Sequence, residues 1–582
     1  MTFFEKIKTI GHLVYWRLNW EKKSLDYLPG KNVSNKFITA LHSASLIQDG
    51  AVCMSSGIAG NARCSVFFWA IRELFQETGH PKELTWINIA AQGGRGKVPG
   101  TIEELALPGL LKCYLTGHHE TAKAQLKLGE QGKLELHTMP QGVMSFLLEE
   151  MSKENGKDYY FSKVGLQTFF DPRSGTGTAI SPGAKDNFVT ADGNLLRYTM
   201  PRIDISFFNA PYADHEGNIY FHNAATISEN KLSAKAARAN GGKAIATVSA
   251  IIPKSEKLIS MTADEIDYIV VHPYNEQTAS IKQKKFWQMF TPGSKEDSIE
   301  ALKKIRFINR FLKITPVRSK VDHLLGRLGA LAFVKATHKG STVNIGVGFP
   351  EEVASQLMQQ SLHNDIFFTT EAGSFGGLPA SGVFFGASIS PLLLESSTET
   401  FYRYLNNLDA AILGFLQIDS LGNVNASKRG ARITEYVGPG GFPDIASGAK
   451  VVFFVGTWMS NGKFEIKNEK LLISKKGKTK FVKQVDQVTF NGMEALKSGK
   501  KIFYVTNVGV FRLTEKGVML IMVMPGIDIE KDIINGCGAA IILPPDKKIP
   551  VLDTSIFNKD KFIINWNQDT NKNGKVINIK RW

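Results

Sequence analysis

The stretch STVNIGVGFPEEVASQLMQQ, residues 341–360, gives the clearest indication of the fold of this chain. Its β-branched and apolar residues at 342–347 predict a buried strand, and Gly346 and Gly348 predict a tight turn around its end. Pro350 suits the first turn of a helix, because the N–H that it lacks has no helical partner there. The two glutamates that follow suit the positive end of the helix dipole. The stretch therefore predicts a strand, a glycine turn and a helix, in that order.

The same order occurs once in the first half of the chain, which makes a weak internal repeat. Residues 50–80, GAVCMSSGIAGNARCSVFFWAIRELFQETGH, contain a β-rich run, a turn with two glycines and an amphipathic helix that we expect to end near Gly79. Each copy is followed by another β-rich run, at 84–90 and at 365–373. Such units build parallel sheets, so the pattern predicts an α/β fold.

The rest of the chain completes two related α/β domains. Further strands are predicted at 243–252, 268–271, 410–416, 450–458 and 500–513.

The predicted division has five parts. They are an N-terminal extension (1–30), a first domain (31–285), a basic linker (286–320), a second domain (321–555) and a C-terminal extension (556–582).

Composition is that of a globular protein with more than one core. The chain has 582 residues, of which 43% are hydrophobic and 21% charged, and its net charge of +16 suits an anionic partner. The densest cationic region, 282–320, is expected to be a solvated helix between the domains, with a nucleic-acid surface as the alternative. Because no Lys/Arg block is interleaved with aromatic residues, no nucleic-acid partner is predicted.

Several features predict a cytoplasmic location. The four cysteines form no CxxC pair and are too few for a disulfide scaffold, which favours a reducing compartment. No apolar run reaches the ~18 residues of a membrane span, so no stable membrane insertion is expected.

The first twenty residues lack the pattern of a signal peptide. They predict an amphipathic helix that docks on the protein itself, with contact to a membrane surface as the alternative. We expect one side of it to carry Phe3, Phe4, Ile7, Ile10, Leu13 and Val14.

Most common site motifs are absent from the sequence. The GVG at 346–348 is neither a full GxGxxG nor a phosphate loop, and a tight turn and a ligand role are equally open for it. The histidines, including His118, His119, His215 and His222, do not have metal-binding spacing, so no metal is predicted. No GxSxG elbow occurs, which disfavours a hydrolase triad.

A single carboxylate stands out in TTEAGSFGGLPA, residues 369–380. Glu371 follows a buried run and precedes glycines that include Gly376 and Gly377. Glycines give backbone N–H groups to a buried carboxylate and let a bulky ligand approach closely. This combination favours a carboxylate nucleophile, with a structural role at the strand end as the alternative. A second glycine cluster, EYVGPGGFPDI at 435–445, would likewise let a ligand approach the backbone closely.

These segments resemble those of the acetate/propionate CoA-transferases, the single-chain branch of the glutamate-dependent CoA-transferases. The resemblance covers about 50–555 in the family's order. The segments that carry it besides TTEAGSFGGLPASGVFFGAS are ETGHPKELTWI (77–87), PGLLKCYLTGHH (108–119), MPQGVM (139–144), KVGLQTFFDPRSG (163–175), YADHEGNIYF (212–221), IDYIVV (266–271), LGRLGALAF (325–333), VNIGVGFPEEVA (343–354), VGPGGF (437–442), FFVGTWMSNG (453–462), VTFNG (488–492) and MPGIDIEKDI (524–533).

The resemblance implies a fold and a site. The implied fold is two tandem open α/β domains of the CoA-transferase (NagB/RpiA-like) type, with the active site at the domain interface. Glu371 is implied as the catalytic glutamate that forms a γ-glutamyl-CoA thioester, and Gln141 as a catalytic side chain of the oxyanion pocket. The implied cofactor-binding glycines are Gly346, Gly348, Gly376, Gly377, Gly440 and Gly441.

The implied activity is ping-pong transfer of CoA between a short-chain acyl-CoA and a free carboxylate. Coenzyme A is then a substrate and no cofactor is bound permanently. The implied partners are acyl-CoA and small carboxylic acids, and the implied assembly is a homodimer or homotetramer. A glutamate at its ordinary pKa of ~4.3 would be ionised at neutral pH and would need no general base.

Alternatives remain at this point. An acyl-CoA hydrolase could use the same scaffold, and a non-catalytic acyl-CoA sensor could retain it. The chain has NNLDA at 406–410 where the family carries a Gly-Gly-Gly-Leu-Asp run, which favours the sensor. The acids that are exchanged are open.

Overall fold

A computed structural model describes residues 1–30, 32–94, 98–184, 187–275 and 288–566. The predicted border between the first domain and the linker, at 285 and 286, lies outside the described residues. So does the end of the predicted C-terminal extension, from 567 onward. The five predicted segment bounds stay predictions.

Twelve α-helices occur in the described part of the chain. They are α1 (Phe3–Asn19), α2 (Ala40–Ser45), α3 (Ser65–Thr78), α4 (Lys123–Glu130), α5 (Gln141–Met151), α6 (Asn230–Ala239), α7 (Ser298–Phe311), α8 (Lys320–Ala336), α9 (Phe349–Gln359), α10 (Ser397–Asn407), α11 (Phe442–Gly448) and α12 (Gly492–Lys497).

The strands fall into two groups along the chain. The first group is β1 (Val52–Ser55), β2 (Leu84–Asn88), β3 (Leu111–Thr116), β4 (Glu135–Thr138), β5 (Tyr159–Ser162), β6 (Val189–Asp192), β7 (Leu195–Thr199), β8 (Ile205–Asp214), β9 (Ile219–Tyr220), β10 (Lys243–Ile252) and β11 (Tyr268–Val271). The second group is β12 (Thr342–Ile345), β13 (Phe367–Thr369), β14 (Ser374–Phe375), β15 (Leu378–Pro379), β16 (Ser388–Ile389), β17 (Leu393–Leu394), β18 (Ala410–Leu413), β19 (Gln417–Ile418), β20 (Val424–Asn425), β21 (Val451–Val455), β22 (Met459–Ser460), β23 (Lys463–Lys467), β24 (Lys470–Lys475), β25 (Lys478–Thr479), β26 (Lys501–Thr506), β27 (Gly509–Thr514) and β28 (Gly517–Val523).

The first sheet is parallel along its main path. Its strand order is β11-β10-β8-β1-β2-β3-β4, and β9 pairs antiparallel with β8. Successive residues of β2 belong to different core clusters, Trp86 on one face and Ile87 on the other. Both faces are therefore buried, as is usual in α/β proteins. The ten-residue strand β8 was not predicted from the sequence.

The second sheet is parallel in its centre and antiparallel at its edges. Its order is β17-β14-β13-β12-β18-β21-β26-β27-β28, and the strands from β13 to β26 pair in parallel. The predicted run at 500–513 is a hairpin of β26 and β27, because the short turn between Thr506 and Gly509 permits only antiparallel pairing.

The internal repeat is confirmed. The first copy folds as β1, α3 and β2, and the second folds as β12, α9 and β13. Helix α3 ends at Gly79, whose φ of +76° provides the left-handed conformation that closes many helices. The α/β fold in two parallel-cored halves is confirmed.

The predictions for the first twenty residues and for the basic region need correction. Residues 3–19 form α1, but the expected side of the helix is wrong: Leu13 is buried with Thr9 and Trp16, whereas Phe3 and Phe4 are exposed. The side of α1 that carries Thr9 and Trp16 packs against the rest of the protein, and the side with the two phenylalanines does not. In the basic region, 298–311 is helix α7, and the expectation of a solvated helix is wrong for one side of it, because Ala301, Leu302, Ile305 and Ile308 are buried in the core. Residues 282–287 lie outside the described residues.

Across the described ranges, every helix is too short or too polar to span a bilayer.

Candidate active site

Glu371 lies in a tight turn at the carboxyl end of β13. The N–H of Thr370 donates to the carbonyl of Ser374 at 3.1 Å, and the N–H of Gly373 donates to the carbonyl of Thr370 at 3.0 Å. The side-chain hydroxyls of Thr370 and Ser374 are 2.7 Å apart. The turn leads into β14, so the carboxylate stands where a parallel strand ends and the chain reverses.

Glycine is required within this turn. Gly373 has φ of +97°, and an added Cβ would lie 2.0 Å from the carbonyl oxygen of Glu395. The N–H of Glu395 donates to the carbonyl of Gly373 at 2.6 Å. Packing of the 395 segment against the turn thus fixes the backbone next to Glu371.

Glu371 and Gln141 meet at Gly441. A Cβ built on Gly441 would lie 2.6 Å from Oε2 of Glu371 and 3.2 Å from Oε1 of Gln141. Gln141 is the first residue of α5, which belongs to the half of the chain with the first sheet. The structure therefore brings the two predicted catalytic side chains together, each from its own half.

The glycine loop at 437–441, in the second half of the chain, makes hydrogen bonds to the first half. The N–H of Gly440 donates to the carbonyl of Gly117 at 2.7 Å, and its own carbonyl accepts from the N–H of Gln141 at 3.3 Å. Gly440 has φ of +61°, a conformation that favours glycine. The loop thus aligns its backbone with the N-terminus of α5.

Further contacts close the interface around the carboxylate. The hydroxyl of Thr226 donates to the carbonyl of Ala372, the residue after Glu371. The side-chain amide of Asn61 donates to the carbonyl of Phe385 at 2.8 Å. The candidate site therefore lies between the two sheets, in agreement with the predicted interface position.

The electrostatic environment of Glu371 differs from the expectation. Its side chain retains some exposed surface, yet desolvation by the surrounding apolar atoms raises its pKa to about 7. The expectation of an ordinary pKa is therefore wrong, because burial disfavours the charged form. At neutral pH part of the Glu371 carboxyl population is therefore protonated.

A second acid, Asp444, was missed by the sequence analysis. It lies in the first turn of α11, fully buried, and accepts from the N–H of Gly142 at 3.0 Å. Desolvation raises its pKa to about 7, and the negative charge of Glu371 contributes in the same direction. The motif GPGGFPD contains this acid, but no local pattern shows that it faces α5.

The other predicted glycines have different surroundings. Gly348 has φ of +95° and no heavy atom within 4 Å of a built Cβ, so it borders open space before α9. Gly346 packs on 412–413. The atoms nearest to Gly376 and Gly377 belong to 389–392 rather than to Glu371.

The aromatic residues near Glu371 differ in burial. Phe368 and Phe384 are fully buried in the core. Phe367 is 41% exposed and stacks on Phe375, with the ring centroids 5.6 Å apart.

The NNLDA segment at 406–410 has a structural role. The carboxylate of Asp409 accepts a hydrogen bond from the N–H of Thr342 at 3.0 Å.

The histidines have structural partners. His119 is buried with its Nε2 3.0 Å from the carbonyl of His137, and burial lowers its pKa to about 3. His215 lies 3.1 Å from the carbonyl of Asn32. Within the described residues, no three His, Cys, Asp or Glu side chains could together hold a metal ion.

The two α/β halves and the carboxylate between them define a class: the chain belongs to the CoA-transferase family. A caffeate CoA-transferase from Acetobacterium woodii is 32% identical over 546 residues, which cover 90% of this chain and 98% of that protein. The acetate CoA-transferase YdiF of Escherichia coli K12 is 27% identical over 536 residues, covering 89% and 94%. No family model matches the chain.

Solved structures agree with this assignment. The apoenzyme of the acyl-CoA transferase YdiF from E. coli O157:H7 superimposes with a TM-score of 0.79 at 25% identity, over 93% of this chain and 99% of that one. The thioester complex of YdiF with CoA has the same fold, with a TM-score of 0.79, 24% identity and coverage of 92% and 99%. The chain is thus a transferase with the two-domain fold of these relatives.

Proposed function

We propose that this transferase moves CoA between a short-chain acyl-CoA and a free carboxylate, by a ping-pong mechanism through a γ-glutamyl-CoA thioester on Glu371. The observation that carries the proposal is the meeting of Glu371 and Gln141 at Gly441. The carboxylate of Glu371, the side-chain amide group of Gln141 and a backbone without Cβ then lie around one point, where a thioester carbonyl would fit.

The first half-reaction starts from the ionised form of Glu371. An oxygen of its carboxylate adds to the thioester carbonyl, and collapse of the adduct releases CoA thiolate and leaves a mixed anhydride. The thiolate then attacks the glutamyl carbonyl. The bond from that carbonyl to the anhydride oxygen breaks, so the acid product leaves as a carboxylate and CoA remains on the enzyme.

The second half-reaction repeats these steps in reverse with the incoming acid. Its carboxylate attacks the glutamyl thioester, the thiolate leaves and then attacks the acyl carbonyl of the new anhydride, and Glu371 is released as a carboxylate. One thioester replaces another, so no nucleoside triphosphate is consumed.

The protein's contribution is electrostatic and steric. The side-chain N–H groups of Gln141, and those of the glycine loop backbone, are the donors that would stabilise each tetrahedral oxyanion. Desolvation raises the pKa of Glu371 and makes its anion less well solvated, hence more nucleophilic. Restricted water access would also protect the thioester from hydrolysis.

The CoA moiety is proposed to lie along the predicted glycines. Gly348 is the best supported of them, because open space adjoins it at the start of α9. The net charge of +16 suits the phosphates of CoA. Binding energy from these remote groups would offset strain at the reacting carbonyl. No permanently bound cofactor is required.

The proposed acids are small carboxylates of the acetate and propionate type. The YdiF relatives, which are named acetate CoA-transferases, support this choice. The caffeate CoA-transferase shows that a relative acts on a bulkier acid, so aromatic acids belong in any test.

The experiment is a donor and acceptor panel. The protein is incubated with acetyl-CoA and with propionate, butyrate or caffeate as acceptor, and the new acyl-CoA is measured by chromatography. We expect new propionyl-CoA in proportion to propionate, with little free CoA when no acceptor is present. Release of free CoA independent of acceptor would instead identify a hydrolase, and an absence of both products would favour a sensor.

Assembly and location stay predictions. The homodimer or homotetramer follows from the resemblance, and the cytoplasmic location from the cysteine pattern.

A further inference from the structure

Helix α1 carries an unusual exposed apolar surface. The four most exposed large apolar side chains among the described residues are Val317 at 88%, Phe4 at 81%, Leu18 at 80% and Phe3 at 72%, and three of them lie on α1. Large apolar side chains that are exposed together usually mark a site of interaction.

The exposed side chains form one continuous face. At about 100° per residue, Phe3, Phe4, Ile7, Val14, Tyr15 and Leu18 fall within an arc of about 120°. All six are more than a third exposed, whereas Leu13 and Trp16 project from the opposite side and are buried. We call the six side chains the α1 apolar face. One side of the helix thus anchors it, and the other faces solvent.

Helix α7, in the basic region, contacts the start of α1 and shares a hydrophobic core with it. Leu13 and Trp16 belong to the same core cluster as Ala301, Leu302 and Ile305 of α7. The backbone ammonium of Met1 lies 2.8 Å from a carboxylate oxygen of Glu300. The two segments that the sequence sets apart, the N-terminal extension and the basic region, therefore form one surface element.

Cations border the α1 apolar face. Lys8 lies about 20° beyond Tyr15 around the helix, and Arg17 lies about 40° before Phe3. Both are exposed, as are Lys6 and Lys22. Residues 1–23 contain five Lys or Arg and two Glu, so the border is positive.

We propose that the α1 apolar face is a reversible docking surface for an anionic membrane, with α1 lying in the plane of the lipid headgroups. Aromatic and aliphatic side chains on one face with lysine and arginine beside them have the composition of interfacial helices. Charge selects this occupant over a second copy of the chain. A two-fold dimer would place the same cations against each other, whereas an anionic surface neutralises them.

The test is vesicle co-sedimentation of the full chain. Wild-type protein is mixed with vesicles of phosphatidylcholine alone or with 30% phosphatidylglycerol (about a third anionic lipid, enough for a negative surface potential). We expect binding to the anionic vesicles only, and weaker binding at high salt because the attraction is screened. The variant F3S/F4S/L18S should lose at least about tenfold in partition coefficient.

A matched variant controls for general loss of apolar surface. L421S/V551S/I563S removes three exposed apolar side chains elsewhere and should bind like wild type. Thermal unfolding of both variants checks that they remain folded. Equal binding to neutral and anionic vesicles, or equal loss in both variants, would overturn the proposal. So would an absence of vesicle binding, and an oligomer that F3S/F4S/L18S dissociates would then show that a second copy covers the face.

Discussion

The N–H of Gly142 donates to the carboxylate of Asp444 at 3.0 Å, a bond between the two halves of the chain. Gly142 directly follows Gln141, and Asp444 lies three residues after Gly441. The bond therefore links the first turn of α5, which carries Gln141, to the first turn of α11, which directly follows Gly441. We therefore expect Asp444 to act through its neighbours, as a positioning residue.

The variant Asp444→Asn is expected to leave the pH dependence of transfer unchanged. The amide oxygen can still accept from Gly142, and desolvation, rather than the charge of Asp444, is the cause of the raised pKa of Glu371. The acidic limb of the kcat/KM profile should therefore stay where it is in the wild type. A limb that moves to lower pH would show that the charge of Asp444 contributes to the raised pKa of Glu371.

The variant Asp444→Ala separates positioning from charge. It leaves the Gly142 N–H without an acceptor, which typically costs about 1–3 kcal/mol in the free energy of unfolding. We expect kcat to fall further than in Asp444→Asn. Similar kcat values in the two variants would show that the bond to Gly142 does not position Gln141.

Substitution of Gly441 by alanine should displace the nucleophile. The new Cβ would lie 2.6 Å from Oε2 of Glu371, closer than atoms in contact allow. We expect a loss of at least about a hundredfold in kcat/KM, because small misplacements of reacting groups are costly. The control is Gly183→Ala, where a Cβ meets nothing within 4 Å, and it should retain activity. Full activity of Gly441→Ala would exclude the proposed geometry.

Removal of the Gln141 amide should slow catalysis more than binding. Loss of one oxyanion donor typically lowers kcat by about 10²–10³. Gln141→Ala should therefore reduce kcat by about this factor, with a smaller change in KM. Gln131→Ala, at an exposed position just after α4, is the matched control. A change confined to KM would assign Gln141 to substrate binding alone.

The two buried acids should make stability depend on pH. In the folded protein the pKa values of Glu371 and Asp444 are both about 7, whereas their ordinary values are 4.5 and 3.8. Between about pH 4 and pH 7 the folded state then binds more protons than the unfolded state, so these acids lower the free energy of unfolding as pH rises.

The variant E371Q/D444N should show a flatter dependence in this range, measured by urea unfolding at several pH values. The comparison with wild type isolates these two groups from the other titrating side chains. Identical slopes would show that the acids keep ordinary pKa values in the folded protein.

Much of the fold could be predicted because its signals are local. The strand–turn–helix pattern at 341–360 and the run at 243–252 depend on neighbouring residues, and both fold as predicted. Strand β8 was missed because its SFFNAPYAD sequence has polar residues and a proline. Those features fit poorly with a central strand, and pairing on both sides overrides them.

The site could be predicted only in part. The glycine-rich setting of Glu371 and the resemblance predict this carboxylate as the nucleophile, and the structure places Gln141 near it. Asp444 could not be found from local pattern, because its importance comes from contact with a helix some 300 residues away. The raised pKa of Glu371 likewise comes from burial in the folded chain, which no local pattern shows.

The most direct measurement is the mass of the peptide that contains Glu371 after reaction with acetyl-CoA. Borohydride reduces a glutamyl thioester to the alcohol, which is lighter than glutamate by one oxygen and heavier by two hydrogens. We predict this change at Glu371 in wild type treated with acetyl-CoA, and not in protein treated with free CoA or in Glu371→Gln. An unmodified Glu371 in protein that turns over, or full initial turnover by Glu371→Gln, would contradict covalent transfer through this residue.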